Sequence, residues 1–252
     1  MTSVSVICPT YQRHEELRAM VGHFCAQTHS DFLQLLILDD SPEPAEFLAE
    51  SQYLEHGVLY FHRPEKRLSI GAKLNVLTKM ARGEVMMRFD DDDYYAPNYV
   101  EKMLELLGDN DILTLSGWFA YSPKHNRFCY WQQDVLWPTH YVLSPWDPEV
   151  RTVSTEGWGR PNFVNGYGFA SMWRRQVATQ VQFPEVSHGE DVKFFEQAVA
   201  EGFRSAYAAD TEGLVLHIIH EGNTSRMFPQ YILPNFALRQ YFPAYADLTE
   251  DQ

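Results

Sequence analysis

Four aspartates stand in succession, Asp90 to Asp93, between the apolar stretch "EVMMRF" and the pair Tyr94-Tyr95. Like charges side by side repel, so an ordered cluster needs a cation or a ring of donors to hold it. The plain alternative is a solvated acidic turn. On an extended chain, residues two apart point the same way, which puts Asp90 and Asp92 on one side and Asp91 and Asp93 on the other. Hard oxygens so placed suit Mg2+ or Mn2+, which takes one or two carboxylates, water and the oxygens of a substrate diphosphate. A second acidic pair, Asp39-Asp40, closes "LQLLIL", and "GED" at Gly189 to Asp191 opens a helical pattern.

The elements that must position these residues alternate. "VSVIC", "LQLLIL", "GVLYFH", "EVMMRF" and "DILTLSG" read as strands. "HEELRAMVGHFCAQ" spaces Leu17, Met20, Val21 and Phe24 along one helical face. "IGAKLNVLTKMARG" reads as a helix closed by Gly83, and "PNYVEKMLELLG" as one with Pro97 in its first turn and Gly108 past its end. That rhythm predicts an α/β fold with an open, mainly parallel sheet covered by helices on both faces. Both acidic groups then fall at the carboxyl ends of strands, where ligands bind in such sheets.

From about Trp118 the pattern is irregular. "WFAYSPKHNRFCYWQ" predicts two strands around a turn at Pro123 to Asn126, and Trp137 to Pro161 predicts a long ordered loop or lid. "NGYGFASMWRR" returns to strand, and "GEDVKFFEQAVAEG" is a helix burying Phe194, Phe195, Ala198 and Val199. No repeat or linker divides the chain, so one compact unit is expected.

Composition narrows the function classes. Of 252 residues, 45% are hydrophobic and 14% aromatic, enough for a substantial core. The formal net charge of -14 argues against broad nucleic-acid binding, which needs clustered Lys and Arg. Cys8, Cys25 and Cys129 have no C-x-x-C spacing, so neither a disulfide framework nor a zinc knuckle is indicated, and a reducing, cytoplasmic compartment is expected. No run approaches the ~18 apolar residues of a membrane span, so a soluble protein without a transmembrane segment is expected. No G-x-G-x-x-G occurs, which removes a dinucleotide oxidoreductase.

Five stretches taken together, "SVICPTYQR", "LILDDS", "RLSIGAKLN", "FDDDDYY" and "HGEDVKFF", resemble family 2 glycosyltransferases of the GT-A fold. The resemblance implies a single glycosyltransferase domain over residues 1–252, with a nucleotide-sugar-binding half, 1–115, and an irregular acceptor-binding half, 116–252. It implies a nucleotide-diphosphate sugar donor, UDP-linked by preference, a glycan or other hydroxyl-bearing acceptor, Mn2+ or Mg2+, and inversion at the anomeric carbon.

Carried onto this chain, Pro9, Thr10, Tyr11 and Arg13 would line the nucleotide pocket. Asp39 would accept from the base with Asp40 beside it; the alternative for the pair is a cap and turn around Ser41-Pro42. Asp90 and Asp91 would lie on the donor, and Asp92 or Asp93 would hold the metal. Lys73 and Asn75 occupy the stretch that contacts donor phosphates or sugar. Leu74 stands where the family often has Arg, and Lys73 also reads as a solvated helix lysine. Asp191 matches the general base, with Glu190 its neighbour, although acidic residues also favour a helix's first turn. His220, or else His217, would complete the metal shell. Trp158 and Tyr167 are the candidates for stacking on an acceptor sugar, and the remaining tryptophans read equally as that face or as core.

Two other readings share features. A sugar-nucleotide pyrophosphorylase would have the sheet and the metal, but its Gly-rich, basic N-terminal phosphate loop is missing. A catalytically inactive nucleotide-sugar- or metal-binding module would need no Asp191 beside the acidic cluster.

Overall fold

The computed structural model describes residues 2–133, 135, 137–157, 167–223 and 225–245. In chain order the elements are β1 (Val4–Thr10), α1 (His14–Cys25), β2 (Leu33–Asp39), α2 (Ser51–Glu55), β3 (Val58–His62), α3 (Ile70–Met80), β4 (Val85–Arg88), β5 (Tyr94–Tyr95), α4 (Tyr99–Leu107) and β6 (Ile112–Ser122). They continue as β7 (Arg127–Gln132), β8 (Thr139–Val142), β9 (Arg151–Ser154), β10 (Ser171–Arg174), α5 (Arg175–Gln180), α6 (Glu190–Ala200), β11 (Ser205–Ala209), β12 (Val215–Ile218), β13 (Tyr231–Leu233) and α7 (Phe236–Tyr241). The described residues form two compact units, the first drawn from Met1–Asp93, Pro97–Thr114 and Asn165–Tyr207, the second from Tyr94–Ala96, Leu115–Val164 and Ala208–Gln252.

In the first unit β3, β2, β1 and β4 pair in that order, parallel throughout, as the alternating pattern predicts. Strands buried on both faces read as continuous apolar runs, and all of Val4, Val6, Ile7 and Cys8 are buried. The register sets Thr10 opposite Asp39, and Ile7 opposite Arg88, so the carboxyl ends of β1, β2 and β4 share one edge. β10 runs antiparallel to β4 and to the first residues of β6.

Helix α1 buries Leu17, Met20, Val21 and Phe24, the i, i+3, i+4, i+7 face read from the sequence. Helix α3 starts at an Ser69 N-cap, whose hydroxyl accepts from Ala72 N at 3.2 Å. It stops at Met80, three residues before Gly83. Gly83 serves instead as a point of close approach, since a Cβ there would lie 2.5 Å from Ser5 N. Pro97 precedes α4 rather than entering it; the helix begins at Tyr99 and ends against Gly108, whose φ is +49°.

Helix α6 is led by Gly189 at φ +74° and buries Phe194, Phe195 and Ala198. Val199 is 46% exposed, because the buried stripe runs through positions 194, 195 and 198 and leaves 199 off its edge. These side chains close over Trp173, Leu74, Leu77 and Ile7 to form the unit's core.

The second unit contains the expected hairpin. β6 and β7 pair antiparallel about a turn in which Asn126 N donates to Pro123 O, 3.1 Å, with Asn126 at φ 47°. β12 pairs parallel with β6 and antiparallel with β5, and β13 borders β7. Phe119, Phe128, Leu216, Leu238 and Phe242 form its core. Asp210, 1% exposed, accepts from the backbone N–H groups of Glu212, Gly213, Leu214 and Val215 and so shapes the approach to β12.

The stretch expected as a loop or lid holds a two-stranded ladder, β8 with β9, because "THYV" and "RTVS" carry β-branched and aromatic residues suited to strands; residues 158–161 lie outside the described residues. Trp118 and Trp131 are core residues of this unit, while Trp137 and Trp146 are exposed. Cys8, Cys25 and Cys129 are free thiols. Among the described residues no helix is long and apolar enough to cross a membrane.

Candidate active site

At the end of β4 the chain turns instead of staying extended. That turn replaces the expected two-sided alternation: Asp90, Asp92 and Asp93 each offer an oxygen within 4.8 Å of the others, and Asp91 points inward. Thr10 Oγ1 donates to Asp91 Oδ2 at 2.6 Å, and Arg13 Nη1 to Asp91 Oδ1 at 3.0 Å. The same Arg13 nitrogen pairs with Asp92. Arg88 Nε donates to Asp90 Oδ1 at 2.5 Å.

Burial, with Asp92 adding to it, pushes Asp91 up to about 7 against the pull of Arg13 and Thr10. Burial also works against a charge on Arg13 and on Arg88, yet Asp92 and Asp91 beside the first, and Asp90 and Glu190 beside the second, hold both above the ordinary arginine value. Carboxylates thus outnumber guanidiniums at this edge. The three-oxygen donor set is hard and anionic, and it fits Mg2+ or Mn2+.

The neighbouring strand ends supply the second part of the site. Asp39 is fully buried; its carboxylate accepts from Ser41 N at 2.8 Å, from the Ser41 hydroxyl, and from Tyr60 Oη at 2.7 Å, with His14 Nε2 3.4 Å away. The Ser41 contacts are those of the turn weighed for this pair. Asp40 takes Arg67 Nη1 at 2.7 Å, Leu68 N at 2.6 Å, and the Lys73 ammonium.

Lys73 is 3% exposed and also donates to Thr10 O at 2.6 Å, so it is a buried cation and not a solvated helix lysine. Burial lowers its pKa, with Asp40 opposing the shift. The Arg67 guanidinium covers the Tyr11 ring, 3.1 Å from its centroid. Pro9 sits in β1 opposite Leu38. Asn75 is not among this group: its amide exchanges hydrogen bonds with the backbone of Phe183, at 2.8 and 2.9 Å.

The start of α6 forms the third part. Glu190 and Asp191 are 4% and 7% exposed. Arg88 Nη1 donates to Glu190 Oε1 at 3.0 Å. Gly168 N donates to Asp191 Oδ2 at 2.9 Å, and Val192 N to Asp191 Oδ1 at 2.8 Å. Burial raises the pKa of Asp191; Arg88 opposes that shift, Glu190 adds to it, and the two amide donors hold it back. Tyr167 has its hydroxyl pKa raised by burial and by Asp191, and its ring meets Phe169 edge-on at 6.1 Å.

The first unit therefore brings Thr10, Arg13, Asp40 and Lys73 together with the acidic run, and Arg88 joins that run, through Asp90, to Glu190 beside Asp191. His220 and His217 belong to the second unit. There His220 Nδ1 accepts from Gly222 N at 3.1 Å, and the His217 ring meets Trp118 at 5.7 Å. Trp158 lies outside the described residues. Sequence reading missed Tyr60, Arg67, Arg88 and Gly168. Only Arg88 left a signal, as an arginine ending the otherwise apolar strand "VMMR".

A likeness to known proteins agrees with this geometry. The model of the glycosyl transferase family 2 matches residues 5–181. Uncharacterized glycosyltransferases of Haemophilus influenzae and Rickettsia bellii are each 28% identical, over 61% and 50% of this chain and 47% and 18% of their own lengths. The chain thus spans at most about half of these relatives.

Among solved structures, S. aureus TarS 1–349 in complex with UDP-GlcNAc superposes with a TM-score of 0.63 at 18% identity, covering 88% of this chain and 60% of that one. The mannosyltransferase PcManGT of Pyrobaculum calidifontis, with GDP-Man and Mn2+, gives a TM-score of 0.58 at 15% identity, over 86% and 56%. The strand-end acidic run, the shared fold and a family match running from β1 to the end of α5 agree, and the chain belongs to glycosyl transferase family 2, with the GT-A fold.

Proposed function

We propose that this protein transfers a sugar from a nucleoside-diphosphate donor, UDP-linked by preference, to an acceptor hydroxyl with inversion. One observation carries the reading: the first unit holds three convergent carboxylates at a strand end together with a buried carboxylate at a helix start. In this reading Asp191 takes the proton of the acceptor hydroxyl as its oxygen attacks the anomeric carbon, while the bond to the diphosphate breaks and its electron pair leaves with that group. Gly168 N and Val192 N aim the Asp191 oxygens.

Asp92 and Asp93, with Asp90, would hold a divalent cation, which supplies positive charge against the departing diphosphate. Thr10, Tyr11, Arg13, Asp39, Asp40 and Lys73 border the donor side. Preference for a uridine donor is supported by the likeness to TarS, whose complexes hold UDP and UDP-GlcNAc. The likeness to PcManGT, bound to GDP-Man and Mn2+, supports the metal.

Titration calorimetry of UDP and GDP with Mn2+ tests the reading. The wild type should bind UDP more tightly than GDP, and Asp92→Ala should lose metal-dependent binding while keeping its circular dichroism. Equal affinity in the variant, or a transfer product that retains the donor's anomeric configuration, would sink it.

A further inference from the structure

We propose that Arg88 is a positioning residue that registers the acidic cluster against the general base, an inference that rests on the function proposed above. Its guanidinium is buried, 8% exposed, and is divided between two carboxylates 102 residues or fewer from it in sequence: Nε reaches Asp90 at 2.5 Å and Nη1 reaches Glu190 at 3.0 Å. Asp90 belongs to the convergent cluster, and Glu190 is the chain neighbour of Asp191.

A guanidinium is planar and its N–H groups diverge at fixed angles. Two carboxylates bound to different nitrogens of one such plane are therefore fixed relative to each other, which a point charge cannot do. Gly168 backs the arrangement. A Cβ there would lie 2.6 Å from Arg88 Nη1 and 3.1 Å from Cδ, so the backbone walls the guanidinium in, and the N–H of that same glycine holds Asp191. Arg88 thus governs the partners on both sides of the chemistry without touching the reacting atoms.

Neutralising charge alone would require any cation. Orienting both carboxylates requires arginine, and that difference is measurable. The first arm is a urea-denaturation cycle of Asp90→Asn and Glu190→Gln, made in the wild type and in an Arg88→Lys background. The two changes should be non-additive in the wild type, by about threefold or more in the unfolding constant, and additive once lysine replaces arginine.

The second arm is transfer kinetics: Arg88→Lys should keep the donor KM within about threefold while kcat falls ~10- to 100-fold. Additive changes in both backgrounds, or an Arg88→Lys enzyme that turns over like the wild type, overturn the inference. A wild type that neither binds nor transfers a nucleotide sugar defeats the functional reading instead, and the denaturation cycle then judges the coupling by itself.

Discussion

Burial makes the charge on Asp191 costly, and the role of general base proposed for it needs that charge. The carboxylate is 7% exposed and its pKa is raised by that burial, with Arg88 and two amides limiting the shift. In the unfolded chain an aspartate titrates near 3.9. As pH rises from about 4 through the raised folded value, the unfolded state releases its proton before the folded one does, so the contribution of Asp191 to stability declines across that window. Asp191→Asn keeps the bond from Gly168 N to a side-chain oxygen, turns an amide N–H₂ toward Val192 N and removes the charge, whose burial cost is the larger of the two effects. Its Tm should exceed that of the wild type at neutral pH, and the gap should close near pH 4, while turnover falls ~10²-fold or more. In the wild type, activity should fall as pH drops through the raised value, above the usual carboxylate range. Thermal melts and pH–rate profiles check both, and an Asn variant less stable than the wild type at pH 8 would show that the bond from Val192 N outweighs the burial cost of the charge.

Asp39, Asp40 and the acidic run could be picked out in the sequence because their positions at strand ends follow from local pattern, and "GED" because it completes the set of five stretches that carries the family resemblance. Their partners could not. Tyr60 lies 21 residues from Asp39, and Arg88 lies 102 from Glu190, separations over which no periodicity carries information.

At the level of elements, the alternating half was legible because strands buried on both faces and helices with one apolar stripe leave different periods in the sequence. The β8–β9 ladder was not, since proline, tryptophan and glycine around it give the same signal as a long loop. Asp210 was missed for a related reason: a single acidic residue before "TEGLVL" looks like ordinary turn chemistry. Its two oxygens satisfy four backbone N–H groups at 2.7 to 3.1 Å. Asp210→Ala would leave those donors without an acceptor, at about 1–3 kcal/mol for each one that water cannot reach. Asp210→Asn would turn an amide N–H₂ toward two of them. Both variants should lower the urea midpoint, alanine by the larger amount. A midpoint unchanged in the alanine variant would mean that water replaces the carboxylate at no cost.

Across the whole molecule, 34 acidic residues stand against 20 basic ones. Self-repulsion of that excess opposes the compact state, and it is screened as the Debye length shrinks from roughly 13 Å near 0.05 M salt to roughly 4 Å near 0.5 M. The Tm should therefore rise over that range with a non-binding salt such as NaCl; a fall would mean that attractive pairs, such as Arg13 with Asp91 and Asp92, outweigh the net charge.

The division into two cores has an optical consequence. Trp173, 1% exposed among Phe183, Phe194 and Phe195, is the tryptophan of the first unit among the described residues, whereas Trp118, Trp131, Trp137 and Trp146 belong to the second. A Trp173→Phe protein would emit from the second unit, and the difference between its spectrum and that of the parent would isolate a single indole in the first. Each core then carries its own fluorophore, so the melting of one can be timed against the melting of the other in the same cuvette.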